Sequence, residues 1–327
     1  MIFLLACVAD KTTDTANSDS ALVEHLSWDV STKGPYNVGY TTSLAAYTLL
    51  GEERETLINI WYPTEDTSGE EVRYFSITPD EEAFGEADWA SPATEIGYPV
   101  LIFSHGSYLY GGSSSFLPRH FASHGWVVAA PDHTGHLLSD FGGAVEASTF
   151  YLRPNNMVAA IDTVASLSEV HTDSVILAGY SFGATDNWMN AGAVMNMESI
   201  QQMCEDGTLP SGCREEEKEL FQVGFADARI KGIVPMAGAD RFAWISTQGR
   251  SNLDLPVLMI SGTLDDDFPQ TIMDEVQGTD ISDIRIEGGC HQLFSVGGCP
   301  DVPTEEGYSL VQTATLSFAR DLLFGDQ

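Results

Sequence analysis

Val175-Ile176-Leu177-Ala178-Gly179-Tyr180-Ser181-Phe182-Gly183 is the stretch that decides the fold. Its apolar half reads as a strand buried on both faces. Its second half opens a helical stretch. Gly-x-Ser-x-Gly at a strand-to-helix junction is a tight turn that presents the serine hydroxyl above the sheet. Positions two before and two after the serine must not crowd neighbouring backbone, and glycine has no Cβ to clash. The helix N-terminus beneath the serine favours developing negative charge. Ser181 is therefore the expected nucleophile. The amide of Phe182 is one expected oxyanion donor.

Outward from this turn, apolar runs alternate with helical patterns. Leu57 to Tyr62, Val72 to Ile77, Pro99 to Ser104, Trp126 to Ala130, Gly232 to Ala237, Pro256 to Ser261 and Asp283 to Glu287 read as further strands. Phe116 to His124, Pro154 to Val170 and Glu305 to Phe324 read as helices. In the second, Met157, Ala160, Ile161, Val164 and Leu167 form one stripe. This alternation predicts an α/β fold, with a mainly parallel sheet of about eight strands and right-handed crossovers. Residues 21–327 read as one catalytic domain, without repeats or linker. Residues 186–227, with Trp188 and the acidic run Glu215-Glu216-Glu217, are too long for one crossover helix. They read as a helical insertion, placed either over the C-terminal edge of the sheet or as a solvated helix pair.

A serine needs a base, and the base needs an orienting acid. His291, in Gly288-Gly289-Cys290-His291-Gln292, follows the last strand candidate. Asp265, three residues after Gly262, follows the strand before it. The order Ser, Asp, His is that of the strand–turn–helix serine hydrolases. Asp266, Asp267 and Asp240 are competing acids. The second oxyanion donor is expected in Ser104-His105-Gly106-Ser107-Tyr108, at Ser107 or Tyr108, with His105 as a structural hydrogen-bonder. Tyr108, Phe182 and Trp188 are candidates for an acyl pocket. Asp132, His133 and His136 invite a metal reading, but no second ligand cluster accompanies them. No metal or cofactor is expected.

Acidic residues outnumber basic ones by 48 to 14, and the formal net charge is -34. A nucleic-acid partner is thereby disfavoured, since phosphate would be repelled. Leu4-Leu5-Ala6-Cys7 resembles a lipoprotein lipobox, with Cys7 as the lipidated residue. The stretch to residue 20 has the composition of a flexible tether. The six residues ahead of Cys7 lack the basic region of a full signal peptide. The expectation is an exported bacterial lipoprotein, monomeric, touching a membrane only through Cys7. Cys204 with Cys213 and Cys290 with Cys299 each enclose a short loop, and two local disulfides are the simple reading in an oxidising compartment. Four reduced thiols are the alternative.

Phe103-Ser104-His105-Gly106, Pro131-Asp132-His133, Arg153-Pro154, Gly179-Tyr180-Ser181-Phe182-Gly183 and Gly289-Cys290-His291-Gln292-Leu293-Phe294-Ser295 resemble one branch of the α/β-hydrolases. That branch holds platelet-activating-factor acetylhydrolases, polyester hydrolases and predicted dienelactone-hydrolase-like proteins. The resemblance spans residues 35 to 324. It implies a Ser-Asp-His esterase acting on small-molecule, lipid or polymer esters without a cofactor. Acetylhydrolases place their acid after the sixth strand, which favours Asp240. Other members place it after the seventh, which favours Asp265. Dienelactone hydrolases proper carry a cysteine where this chain has Ser181, which argues against a lactone specialist. A phospholipase-like enzyme, a polyester hydrolase, a peptidase and a non-catalytic surface lipoprotein are the competing readings.

Overall fold

The computed structural model describes residues 27–93, 97–143, 146–209, 212–238, 245–265 and 268–325. Cys7, the tether to residue 20, Asp240, Asp266 and Asp267 lie outside them.

The described residues form one ten-stranded sheet: β1 (Asn37–Leu49), β2 (Glu52–Thr64), β3 (Glu70–Tyr74), β4 (Thr78–Gly85), β5 (Tyr98–Ser104), β6 (Val127–Asp132), β7 (Val170–Tyr180), β8 (Ile230–Met236), β9 (Val257–Gly262) and β10 (Ile281–Ile286). Their order across the sheet is β10-β9-β8-β7-β5-β6-β2-β1-β4-β3. The block from β10 to β6 is parallel, and β2 joins it antiparallel. All eight expected strands are present. β1 and β4 are additional. They escape an apolar-run reading because each mixes buried with exposed polar positions: β1 alternates over its second half, and β4 exposes Glu81 and Glu82.

Eight helices accompany the sheet: α1 (Phe116–Ser123), α2 (Thr149–Ala165), α3 (Phe182–Asn190), α4 (Met197–Glu205), α5 (Glu215–Val223), α6 (Thr247–Arg250), α7 (Phe268–Glu275) and α8 (Thr304–Phe324). Helix α2 begins five residues before Pro154, which the sequence reading took as its start. The proline lies inside the helix, where it has no N–H to donate. The inner parallel strands bury both faces, while β10 at the edge is half-exposed. Val100 and Ile102 of β5 pack with Met157, Ile161 and Val164 of α2. Leu101 and Phe103 pack on the other side with Phe121 of α1 and Leu316 and Ala319 of α8. This is the period-two alternation of a strand between two apolar layers.

Residues 186–190 belong to α3 and not to the insertion, which therefore starts later than expected. Its two helices, α4 and α5, are tied by the Cys204–Cys213 disulfide. Each helix sets an apolar residue into the core. Ile200 and Phe221 are buried in the same core as α2, and the Tyr151 hydroxyl donates to Glu217 Oε1 at 3.0 Å. No helix among the described residues is long and apolar enough to cross a membrane.

Helix α1 anchors the segment ahead of β1 through two imidazoles. His120 Nε2 donates to the Val30 carbonyl and His124 Nε2 to the Thr32 carbonyl, each at 2.9 Å. Burial pushes His120 from its ordinary 6.5 down to about 4, with the neighbouring His124 adding to the shift. The native state thus resists a proton that the unfolded chain accepts. Stability from this group is complete above pH 6.5 and is lost as pH falls from there toward 4. At 1.36 kcal/mol per unit the loss amounts to about 3 kcal/mol. The thermal midpoint is expected to drop across that interval, and to drop less in His120→Gln. Equal slopes in the two proteins, followed by calorimetry against pH, would contradict a buried neutral imidazole.

Candidate active site

Strand β7 ends at Tyr180 and α3 begins at Phe182, leaving Ser181 alone in the turn with φ 55° and ψ −112°. This is strained backbone for a residue with a Cβ. The flanking glycines make it attainable. A Cβ on Gly183 would lie 2.0 Å from the Ser104 carbonyl oxygen, and one on Gly179 would lie 2.3 Å from the Gly183 carbonyl oxygen. Helix α3 is thereby seated directly on β5 and β7. The Ser181 amide is itself anchored, donating to the Met236 carbonyl at 2.9 Å.

Two loops at the ends of β9 and β10 meet this turn. They are packed backbone to backbone. Leu264 N donates to Gly289 O at 2.8 Å, and a Cβ on Gly262 would lie 2.1 Å from the same oxygen. The first loop carries Asp265 and the second His291. His291 Nε2 stands 2.9 Å from Ser181 Oγ, and its Nδ1 lies 3.0 and 3.1 Å from the two Asp265 oxygens. A carboxylate can only accept, so Nδ1 carries the imidazole proton. Nε2 is then the acceptor that faces the serine hydroxyl, the tautomer a general base requires. The histidine loop is closed by the Cys290–Cys299 disulfide, and Tyr180 packs on the His291 ring at 5.2 Å between centroids. Burial, reinforced by the Asp265 charge, pushes the Tyr180 phenol well above its ordinary range, so it stays neutral.

The oxyanion-loop candidates lie just after β5. His105 is fully buried. Its Nε2 accepts from the His133 amide at 3.2 Å, so its Nδ1 donates to the Gly106 carbonyl at 2.7 Å. It is a hydrogen-bonder within the scaffold, as the sequence reading expects. Ser107 is exposed, and Tyr108 adopts φ 54°. The Tyr108 ring stands 4.7 Å from His136, whose other side meets Phe182 at 4.8 Å. Tyr108 and Phe182 thus flank one aromatic wall close to Ser181. Trp188 does not join it. It lies two turns down α3, is 2% exposed and packs under the Arg250 guanidinium at 5.6 Å. Its large ring belongs to the buried core cluster.

Beneath this wall runs a buried polar network that sequence reading passes over. Arg153 Nε donates to Asp186 Oδ2 at 2.8 Å, Nη2 to Ser104 Oγ at 3.0 Å and to the His105 carbonyl, and Nη1 to His136 Nδ1 at 3.1 Å. Ser104 Oγ also donates to Asp186 at 2.6 Å. Burial, together with the Arg153 charge, lowers His136 to about 3 and holds His105 and His133 well below their ordinary value, so all three rings are neutral. The residues that invite a metal reading are engaged otherwise. Asp132 accepts from Gly111 N and Asn59, and His133 bonds Asn156 and Ser104. Among the described residues no group of three His, Cys, Asp or Glu could hold a metal. The one available signal for the network is Arg153 itself, a charge at the head of an apolar helix stripe.

No family model matches the chain. In sequence it is 29% identical over 126 residues to platelet-activating factor acetylhydrolase of Cavia porcellus, a match covering 31% of this chain and 27% of that protein. It is 29% identical over 151 residues to dipeptidyl-peptidase 5 of Aspergillus fumigatus, covering 40% of this chain and 20% of that one. The matches therefore span about a quarter of the length of these curated relatives. In structure it resembles a ferulic acid esterase from Streptomyces cinnamoneus, with a TM-score of 0.62 and 15% identity, covering 90% of this chain and 92% of that one. A parallel sheet with a serine at the β7–α3 turn, the likeness in structure and the relatives in sequence agree: this chain has the α/β-hydrolase fold.

Proposed function

We propose that the protein is a serine hydrolase of carboxylic esters. The observation that carries this reading is the unbroken line from Ser181 Oγ through His291 to Asp265. In this reading His291 Nε2 removes the Ser181 proton as Oγ attacks the ester carbonyl. Asp265 holds the ring in the right tautomer and stabilises the imidazolium that forms. The oxyanion of the tetrahedral intermediate is received by the amides of Phe182 and Ser107. The first of these stands at a helix N-terminus, where amides have no intrahelical acceptor. Collapse of the intermediate breaks the ester bond, and His291 passes its proton to the leaving alcohol. Water then attacks the acyl-enzyme by the same route and releases the acid. Asp265 rather than Asp240 is the acid in this proposal, because its carboxylate is on the imidazole.

Short- to medium-chain acyl esters suit the aromatic wall of Tyr108 and Phe182. A second reading, an enzyme of lipid or polymer esters, draws on exposed apolar residues near the site. Leu264 precedes Asp265 and is 56% exposed, Val296 lies in the His291 loop at 58%, and Phe141 packs on Tyr108 at 76%. The two disulfides suit an oxidising, exported setting, and an anchor at Cys7 would bring the enzyme to a membrane surface.

Hydrolysis of p-nitrophenyl acetate, butyrate and palmitate tests this reading. Ser181→Ala and His291→Ala are each expected to lower kcat by about 10³-fold or more, with labelling by a fluorophosphonate lost in Ser181→Ala. Full activity in Ser181→Ala would dismiss the proposal. A preference for palmitate presented as an interface would favour the second reading over the first. The His291 loop gives a separate expectation. Closing a loop of about ten residues contributes roughly 2.5–3 kcal/mol in the chain-entropy model. Cys290→Ser/Cys299→Ser is expected to lower both the thermal midpoint and kcat, since the imidazole loses its closed loop. Unchanged kcat would show that packing alone holds His291.

A further inference from the structure

We propose that the buried Arg153–Asp186 pair is a positioning device that fixes the two oxyanion donors, the amides of Ser107 and Phe182, relative to one another. The inference rests on the ester-hydrolase reading above and deepens it.

The geometry is that of two peptide planes. Arg153 Nη2 binds the His105 carbonyl, which sets the plane between His105 and Gly106. His105 Nδ1 binds the Gly106 carbonyl at 2.7 Å, which sets the next plane. That plane is trans, since the described residues contain no cis peptide bond. In a trans peptide the amide points away from the carbonyl. Holding Gly106 O against the His105 ring therefore turns the Ser107 N–H to the opposite side. The direction of one oxyanion donor is thus dictated from inside the protein.

The other donor is tied to the same guanidinium. Asp186 lies one turn after Phe182 on α3, so both face the same side of the helix. Arg153 Nε is bonded to Asp186, and the guanidinium carbon lies 4.6 Å from the centre of the Phe182 ring. One rigid planar group therefore spans the loop that carries Ser107 and the helix that carries Phe182. Ser104 Oγ, which accepts from Arg153 and donates to Asp186, closes the bracket.

Burial works against the pair as a source of stability. Both side chains are almost wholly shielded from solvent, at 1% and 0% side-chain exposure. Burial lowers the guanidinium pKa and raises that of the carboxyl, each against the opposing pull of its partner. A buried ion pair is in general weak evidence for stability, and replacing one by apolar groups of similar volume is often tolerated. What an apolar pair cannot do is grip the His105 carbonyl. Lysine cannot replace the fork either, because its single ammonium lacks the planar spread of donors.

The test uses the full chain with three substitutions: Arg153→Lys, Arg153→Met, and the double change Arg153→Met/Asp186→Leu. Thermal midpoint, kcat and KM for p-nitrophenyl butyrate, and the inhibition constant of an aryl trifluoromethyl ketone are measured for each. The ketone forms a tetrahedral adduct and so reports on the oxyanion donors. The double variant is expected to fold, to keep KM within about threefold and to lose kcat by about 100-fold or more, in the range of a lost oxyanion donor. Ketone affinity is expected to fall in step with kcat/KM. Arg153→Lys is expected to follow the same pattern with a smaller loss, and it carries the test if the other two do not fold. A folded double variant with kcat within threefold of wild type would overturn the inference, as would a loss of kcat with undiminished ketone affinity. Wild-type protein that hydrolyses none of the esters would instead bring down the esterase reading, and this inference with it.

Discussion

The site depends on one backbone conformation, that of Ser181 at φ 55° and ψ −112°. Such a conformation costs about 1–3 kcal/mol and persists only where its surroundings over-determine it. Here they do so from three sides. Helix α3 is pressed onto the Ser104 carbonyl through Gly183, β7 is pressed onto α3 through Gly179, and β8 holds the Ser181 amide through Met236. The sheet is thus a jig for one dihedral pair. A methyl group at either glycine would push α3 away from β5 and release the turn.

Much of this was legible in the sequence, for a definable reason. The inner parallel strands are buried on both faces, so they appear as continuous apolar runs such as Val100 to Phe103 and Val175 to Ala178. The Ser181 turn is legible because its glycines are demanded by contacts only glycine survives. His291 and Asp265 follow from chain order and from the ends of their strands. β1 and β4 were not legible because a half-exposed strand carries polar residues at alternate positions. The start of α2 was misplaced because proline is most at home in a first turn, whereas Pro154 is tolerated further in. Asp240 lies outside the described residues, and only geometry could rank Asp265 as the acid on the imidazole. The Arg153–Asp186 pair was invisible for another reason. Its members are 33 positions apart, in segments read as an apolar helix and as the start of an insertion.

Electrostatics divide the molecule into an inside and an outside. Among the described residues the two almost fully buried arginines, Arg153 and Arg250, are outnumbered by the buried acids Asp80, Asp132, Asp186 and Glu217, so the excess of acids in the formal charge of -34 lies mainly at the surface. An uncharged ester approaches such a surface without penalty. The carboxylate that ester hydrolysis releases would carry the same sign as the surface and be driven outward.

The two disulfides each join cysteines nine positions apart. Four cysteines can pair in three ways, and either alternative would close at least one loop of about 80 residues or more. Loop closure becomes less probable as the three-halves power of length, so each native pair is favoured over such a distant partner by roughly twentyfold before any tertiary structure exists. Proximity along the chain does the proofreading. This protein is suited to compartments that oxidise thiols quickly but reshuffle mispaired cystines poorly.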